Sequence, residues 1–489
     1  METICDSELD TNTSSSTSSS DLHDHTPGPI FPLVPPPIPN LAVPATGSEY
    51  TPSPTSSLLV PRFSAAAPAH LSNHNPPVPR FNAAHSSHHE SRLSISQINL
   101  KSVSPNIPAQ LSDALGKELT ENTLFTTGKF LERLFPPERL PFPVNEELLR
   151  KLSTANGTNV PIWNDFRGCF QRPPMIEFGE AAVCQWLNTI GTTMGLVYGR
   201  QCERLWWSGR CTPLVSSSIQ QKQDLVLLDR IYILSQKNFA DTEWAVVKAV
   251  AEVHQSNAQP TETTRSYLTF LCQPHRRFTI KLSFFNPKKS KFSVTVIDRL
   301  GQIHLDQIDL MGSCVENGLL LLSILAFLMF GSPEDVGLDP HFKINPLNGN
   351  TVEVECGNRR FQLLKRIHAL PKVVGRGTQV WIVVHNGIRY IMKDSWVRED
   401  NNEVAHLSRM LNHKELNGRV PTLICGGDVV INGFKDSMQR YRYASSSCSH
   451  RIHRRIVTSP IGESITSFKT KKEFIRVLIN VIESKLNYL

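Results

Sequence analysis

Apolar positions are patterned unevenly along the chain. They recur at three- and four-residue spacing over residues 124–134 and 145–151, and again over 177–190, which predicts packing helices. Leu225-Val226-Leu227-Leu228 is a short continuous apolar run, the pattern of a strand buried on both faces. Apolar segments follow at 244–253 and 278–285. Residues 291–297 then alternate and end in the turn signal Asp298-Arg299-Leu300-Gly301. The longest apolar run, 319–330, is interrupted only by Ser323. It falls well short of the roughly 20 residues a membrane-spanning helix needs, so it predicts a buried core helix.

The back of the chain carries a different rhythm. Residues 341–370 read as connecting sequence with strand-like stretches at 352–354 and 361–364, the first preceded by a turn at Leu347-Asn348-Gly349-Asn350. Three strand-like stretches follow: Lys372-Val373-Val374, 380–384 and 388–393. Gly375-Arg376-Gly377 and the hairpin signal His385-Asn386-Gly387 separate them, which predicts a three-stranded antiparallel meander. Residues 403–411 place Val404, Leu407 and Leu411 on one helical face. Residues 472–489, apolar at Phe474, Val477, Leu478, Val481 and Ile482, predict a further helix.

Composition changes the picture at the front. The 489 residues make two or three units more reasonable than one. Residues 1–110 hold half of the 34 prolines, serine runs, and only 4 basic against 8 acidic residues. Such a stretch cannot bury enough apolar surface to offset chain entropy, so a disordered tail is expected. Within it Val60-Pro61-Arg62-Phe63 recurs as Val78-Pro79-Arg80-Phe81. The remaining 379 residues therefore carry 47 basic and 36 acidic groups, a net charge of +11, which is compatible with anionic partners without selecting one. Ten scattered cysteines without a C-x-x-C pair argue against a zinc module or a disulfide framework, and fit reduced thiols. The acidic N-terminus has no apolar signal core, so an intracellular protein, cytoplasmic or nuclear and without membrane partners, is expected.

Candidate chemistry concentrates in the meander. Glycines in a hairpin let backbone N–H groups approach phosphates, and Gly375, Gly377 and Thr378 form such a turn. Lys393, on the third strand, could reach α- and β-phosphates if a carboxylate from the following helix oriented it. Glu403 is the candidate partner, with Glu399 as the alternative.

Strand, turn, strand, turn, strand with Lys, helix with Glu is the order of a protein-kinase N-lobe. The run Val374-Gly375-Arg376-Gly377-Thr378-Gln379-Val380-Trp381, then Met392-Lys393-Asp394-Ser395-Trp396 and Arg451-Ile452-His453-Arg454-Arg455-Ile456-Val457, resembles the fungal-type protein kinase family. Upstream stretches around Asp224–Asp229, Trp244, Asp298-Arg299-Leu300-Gly301 and Gly337-Leu338-Asp339-Pro340 extend that resemblance over about 110–489. It implies ATP and Mg²⁺ as cofactors and phosphoryl transfer to protein Ser/Thr. It places Gly375, Gly377, Thr378 and Lys393 on ATP, with Glu403 as ion-pair partner. Val380 stands where a third glycine would be. The catalytic Asp and the metal-binding Asn and Asp that this chemistry requires are expected beyond Leu489, so the chain as given is expected to be inactive and to bind ATP weakly or not at all.

The expected fold is α+β, in three parts: a tail (1–110), a mixed α/β domain (111–345) and an incomplete kinase-like N-lobe of antiparallel sheet and helix (346–489). Two other readings remain open. Asp224 with Glu252-Val253-His254 resembles the metal site of restriction-endonuclease-like folds, where two carboxylates share a magnesium that activates water on a phosphodiester. The bland account is that these carboxylates cap strand ends or pair with nearby Lys and Arg. A non-catalytic role, binding protein partners or nucleic acid, is the other. The cluster Arg440, Arg442, His450, Arg451, His453, Arg454 and Arg455 reads as a solvated strand face. His450 and His453 lack the further ligands a zinc site needs.

Overall fold

The computed structural model describes residues 117–486 except 118, 120, 127–128, 155–160, 172–178, 209–223, 237–241, 255–268, 271, 286–290, 313, 371, 413–419, 441, 443–449 and 464–466. The Pro- and Ser-rich tail with its repeated Val-Pro-Arg-Phe lies outside the described residues.

The first half contains β1 (Thr123–Thr126), α1 (Lys129–Leu134), α2 (Glu146–Thr154), the short pair β2 (Trp163–Asn164) and β3 (Cys169–Phe170), and α3 (Gly179–Val197). After these come β4 (Arg204–Ser208), β5 (Leu225–Asp229), α4 (Arg230–Ser235), β6 (Ala249–His254), β7 (Thr279–Phe285), β8 (Lys291–Asp298), β9 (Gly301–Leu305), β10 (Ile308–Asp309) and α5 (Val315–Phe330). Eight of these strands form one mixed sheet in the order β1-β9-β8-β7-β6-β5-β4, with β10 beside β8. The β1/β9 and β6/β7 pairs are parallel and the others antiparallel.

Both faces of this sheet are covered, which is why β5 and β7 are buried along almost their whole length. On one face Leu227, Ala251, Leu282, Val294 and Ile303 pack under α2, α3 and α5. The apolar run expected to be a core helix is α5: Leu321, Leu325, Phe327 and Leu328 have no exposed surface, a burial contributing about 1.5–3 kcal/mol for each such side chain. Gly191 of α3 lets α5 approach, because a Cβ there would overlap the Met329 thioether. On the other face Val226, Leu228 and Val250 pack with Trp244 and Val246 at one end, and Ile297 packs with Leu119, Phe270 and Val373 at the other. Among the described residues no helix is long and apolar enough to cross a membrane.

The second sheet is antiparallel throughout, in the order β11-β12-β13-β14-β15-β19-β16. It consists of β11 (Phe342–Ile344), β12 (Thr351–Cys356), β13 (Arg359–Ala369), β14 (Gln379–His385), β15 (Ile388–Arg398), β16 (Thr422–Asp428) and β19 (Arg451–Ser459). A small hairpin of β17 (Val430–Ile431) and β18 (Phe434–Lys435) stands apart, α6 (Glu403–Asn412) follows β15, and α7 (Lys471–Leu486) follows β19. Val354, Phe361, Trp381, Val383, Met392 and Val457 form the core of this sheet. With both helices and sheets in separate packed layers, the chain is α+β, as expected.

Three local expectations are corrected. Residues 124–134 are not one helix but the strand β1 followed by α1. Residues 341–370, expected as connecting sequence with strand-like stretches at 352–354 and 361–364, hold those stretches within the longer strands β12 and β13 and add β11. Register shifts between Leu363 and Lys365 and between Arg366 and His368 break the period-2 alternation that would have marked β13. The meander's first strand is consequently β13, and Lys372-Val373-Val374 lies in the turn after it.

Candidate functional site

Successive side chains of a strand point to opposite faces, so Lys393 and Asp394 leave β15 in opposite directions. Lys393 meets α6. Its Nζ donates to Glu403 Oε1 at 2.8 Å and to Oε2 at 2.9 Å. Glu403 opens α6, where a carboxylate also complements the helix dipole. Arg376, from the glycine turn, donates to the same Oε1 at 2.8 Å. One carboxylate thus holds two cations, and Lys393 keeps 29% of its side chain exposed. Glu399, the alternative partner, is exposed at the end of the strand.

The glycine turn between β13 and β14 is anchored from the first sheet. Arg299, between β8 and β9, donates from Nη1 to Lys372 O at 2.8 Å and to Val373 O at 3.3 Å, and its own carbonyl accepts the Gly375 N–H at 2.8 Å. Its guanidinium lies 4.8 Å over the Phe270 ring. Both glycines have positive φ, +114° at Gly375 and +49° at Gly377, but their surroundings differ. A Cβ at Gly377 would stand 2.5 Å from Arg299 Cζ, whereas one at Gly375 would meet open space. Gly377 therefore makes room for the anchor, and the open side of the turn is over Gly375. At the root of the turn Thr378 O accepts the Leu370 N–H at 3.0 Å, and Arg376 O accepts the Trp396 N–H at 2.7 Å.

The opposite face of β15 holds a buried knot of charges. His453 on β19 stacks on Trp396, with ring centroids 4.6 Å apart. Its Nε2 meets Asp394 Oδ1 and its Nδ1 meets Asp436 Oδ2, both at 3.0 Å. Arg455 donates to Asp339 Oδ2 at 2.6 Å and to Asp394 Oδ1 at 3.1 Å. Arg277, just before β7, donates to both oxygens of Asp436 at 3.0 and 3.1 Å. Burial alone would push the His453 imidazole down, but the carboxylates of Asp394 and Asp436 outweigh it and raise it to about 9. Burial likewise opposes ionisation of Asp339, yet Arg455, His341 and His453 hold it well below the usual carboxylate range.

The expectation that the Arg440–Arg455 cluster forms a solvated face is therefore corrected for Arg442, His453, Arg454 and Arg455, while His450 is exposed and Arg440 and Arg451 are half-buried. Arg442 is buried on Asp298 at 2.6 and 2.8 Å, Arg454 pairs with Asp428 at 2.6 Å, and His453 and Arg455 sit in the knot. Sequence reasoning named Asp339 and Asp394 only inside stretches that carry the family resemblance, gave neither a role, and missed Asp436. A usable signal was the presence of charged residues in strands otherwise apolar enough to be buried, which demands opposite charges nearby.

In the first sheet Leu225 pairs with Ala251, so Asp224 and Glu252 stand opposite each other one position further along the ladder. Glu252, 1% exposed, accepts from Lys281 Nζ at 2.9 Å on the neighbouring strand, and His254 Nε2 lies 3.3 Å from it. Asp224 Oδ2 accepts the Val253 N–H at 2.8 Å. Among the described residues no group of three or more His, Cys, Asp or Glu side chains stands together in a metal-holding arrangement.

A lysine on the third strand of a meander, paired to a glutamate on the next helix, is the arrangement protein kinases use on nucleotide phosphates. A model of the family described as "Fungal protein kinase" matches residues 222–488, more than half of the chain. The chain belongs to the fungal protein kinase family. No curated protein and no solved structure matches it. The matched span begins just before β5 and takes in α7, so this family member has Arg299, Glu252 and the charged knot inside the family's own region together with Lys393 and Glu403.

Proposed function

We propose that the second sheet and α6 form the nucleotide-holding half of an ATP-dependent protein kinase of the Ser/Thr type, and that it takes Mg-ATP weakly. The observation that carries this reading is the Lys393–Glu403 pair at 2.8 Å, which fixes an ammonium beside a glycine turn while leaving it partly exposed. That ammonium fits the α- and β-phosphates, and the open side of Gly375 leaves room for them. Bound ATP would supply the transferable γ-phosphoryl group. The chain's own part is to hold the phosphates: Lys393 as the point charge, Glu403 as its orienter. Weak affinity follows from what is already engaged. The Gly375 N–H is given to Arg299, and Glu403 is shared with Arg376.

At a Kd of about 1 mM, 1 mM Mg-ATP stabilises the fold by only about 0.4 kcal/mol. A thermal-shift titration is expected to show this small effect, saturating at higher concentration, and to lose it in Lys393→Met. A shift indifferent to Lys393 would sink the proposal of a phosphate site, and a stabilisation of several kcal/mol would sink the proposal of weak binding.

A second reading rests on the first sheet. Asp224 and Glu252 face each other with the Lys281 amine 2.9 Å from Glu252, the two carboxylates and amine that magnesium-dependent phosphodiester cleavage employs. It takes second place because Lys281 already neutralises Glu252. It predicts Mg²⁺-dependent nicking of supercoiled plasmid that disappears in Glu252→Ala. An uncut plasmid, or cutting that survives the substitution, leaves only the ion-pair role.

A further inference from the structure

Cys356 ends β12 and Cys425 lies in β16, with four strands between them in the order of the second sheet. The sheet curls enough to bring its ends together. Cys356 Sγ comes within 4.0 Å of Arg455 O on β19, the neighbour of β16. The β16/β19 register shifts between Leu423 and Cys425, a bulge of the kind that re-aims a side chain. A Cβ placed on Gly357 would lie 3.7 Å from Cys425 Cβ, and Cys425 packs against the buried cluster that contains Cys356. Their situations are unequal. Cys356 is 5% exposed, whereas Cys425 is half-buried with a path to solvent.

We propose that Cys425 and Cys356 are a peroxide-oxidisable pair, Cys425 the attacking thiol and Cys356 the resolving one, whose disulfide closes the curled sheet across the strands that carry Lys393. The chemistry agrees with the geometry. The neighbouring Cys356 thiol, with Arg359 nearby, lowers the Cys425 thiol against the effect of burial, and the Cys425 thiol together with burial raises Cys356. Elsewhere burial pushes Cys184 and Cys272 up to about 11 and Cys202 up to about 12, which makes them poor nucleophiles.

In the first step the Cys425 thiolate attacks one oxygen of hydrogen peroxide, the O–O bond breaks, and the sulfur is oxidised to a sulfenic acid as hydroxide leaves and takes up the proton the thiol had released, giving water. Cys356 sulfur then displaces that hydroxyl group, the S–O bond breaking as the S–S bond forms, and the Cys356 proton goes to the departing hydroxide to give the second water. Two thiols and one hydrogen peroxide thus become one disulfide and two waters. This inference is independent of nucleotide binding.

The test uses the full chain, treated with limiting hydrogen peroxide, blocked with N-ethylmaleimide and mapped by mass spectrometry without reduction. A cross-linked peptide joining Cys356 to Cys425 is expected, reversed by dithiothreitol, with the oxidised chain melting at a higher temperature. In Cys356→Ser the sulfenic acid is expected to persist and to be captured by dimedone at Cys425. Two results would overturn the proposal: oxidation of Cys272 or Cys314 while Cys356 and Cys425 still take up maleimide, or over-oxidation of Cys425 in the unaltered chain without the cross-link.

Discussion

Replacing Arg455 with methionine is expected to lower the free energy of unfolding in urea by about 3–5 kcal/mol, the usual effect of breaking a buried ion pair from one side. Arg455 is 2% exposed and faces Asp339 at 2.6 Å and Asp394 at 3.1 Å, both almost wholly buried. Its loss strands a negative charge where water cannot reach it. Adding Asp339→Asn to Arg455→Met removes that stranded charge and is expected to recover part of the loss. A single-variant effect below about 1 kcal/mol would refute the account.

The knot also fixes the pH dependence. The His453 imidazole is raised to about 9 in the fold, against about 6.5 in the unfolded chain. Its contribution is fully present below pH 6.5 and is lost as pH rises towards 9, a decline of about 3 kcal/mol. Asp339 and Asp394 are lowered by Arg455 and His453 against the effect of burial, so their contribution is present above the ordinary carboxylate range and fades as pH falls through their folded values. Stability should therefore plateau between about pH 4 and 6.5, and His453→Gln should remove the alkaline slope.

What the sequence made legible was local. The α5 core helix, the buried strand β5, the glycine turn and the Lys393–Glu403 spacing all lie within stretches where period or separation is short. The knot was not legible because its partners are far apart in the chain: 59 residues separate Asp394 from His453, and 116 separate Asp339 from Arg455. The register of β15 on β19 brings Asp394 to His453 and Arg455, and Asp339 reaches Arg455 from the segment before β11. The Val373 segment looked like a strand because it is apolar. Its carbonyls instead bond to Arg299 and its side chain joins Phe270 and Ile297, a tertiary contact that no local pattern carries. Residues 291–297 alternate as a half-solvated strand would, yet Ser293 and Thr295 are buried, because the polar face of the first sheet is covered as well. The cysteine count suggested reduced, unconnected thiols, and the curl of the second sheet is what packs Cys425 against the cluster that holds Cys356.

Arg299→Ala is expected to loosen the glycine turn without unfolding the protein. The guanidinium is 4% exposed, donates to two carbonyls of the turn and stacks on Phe270, so its removal leaves Lys372 O and Val373 O short of a charged donor. Hydrogen bonds to charged groups contribute about 1.5–3 kcal/mol, and a local loss near 3 kcal/mol speeds amide exchange about a hundredfold. Hydrogen exchange read by mass spectrometry should show that acceleration at the Gly375 amide and its neighbours, with β5 and α5 unchanged. Arg299→Lys should restore it only in part, because an ammonium reproduces neither the fork nor the stacking. Because the turn lies beside Lys393, the same substitution should weaken Mg-ATP about tenfold by raising the cost of ordering the turn on the phosphates. Exchange that stays slow in Arg299→Ala would mean that β13 and β14 hold the turn by themselves. Fast exchange with unchanged nucleotide affinity would mean that the turn, although anchored by the first sheet, takes no part in holding phosphate.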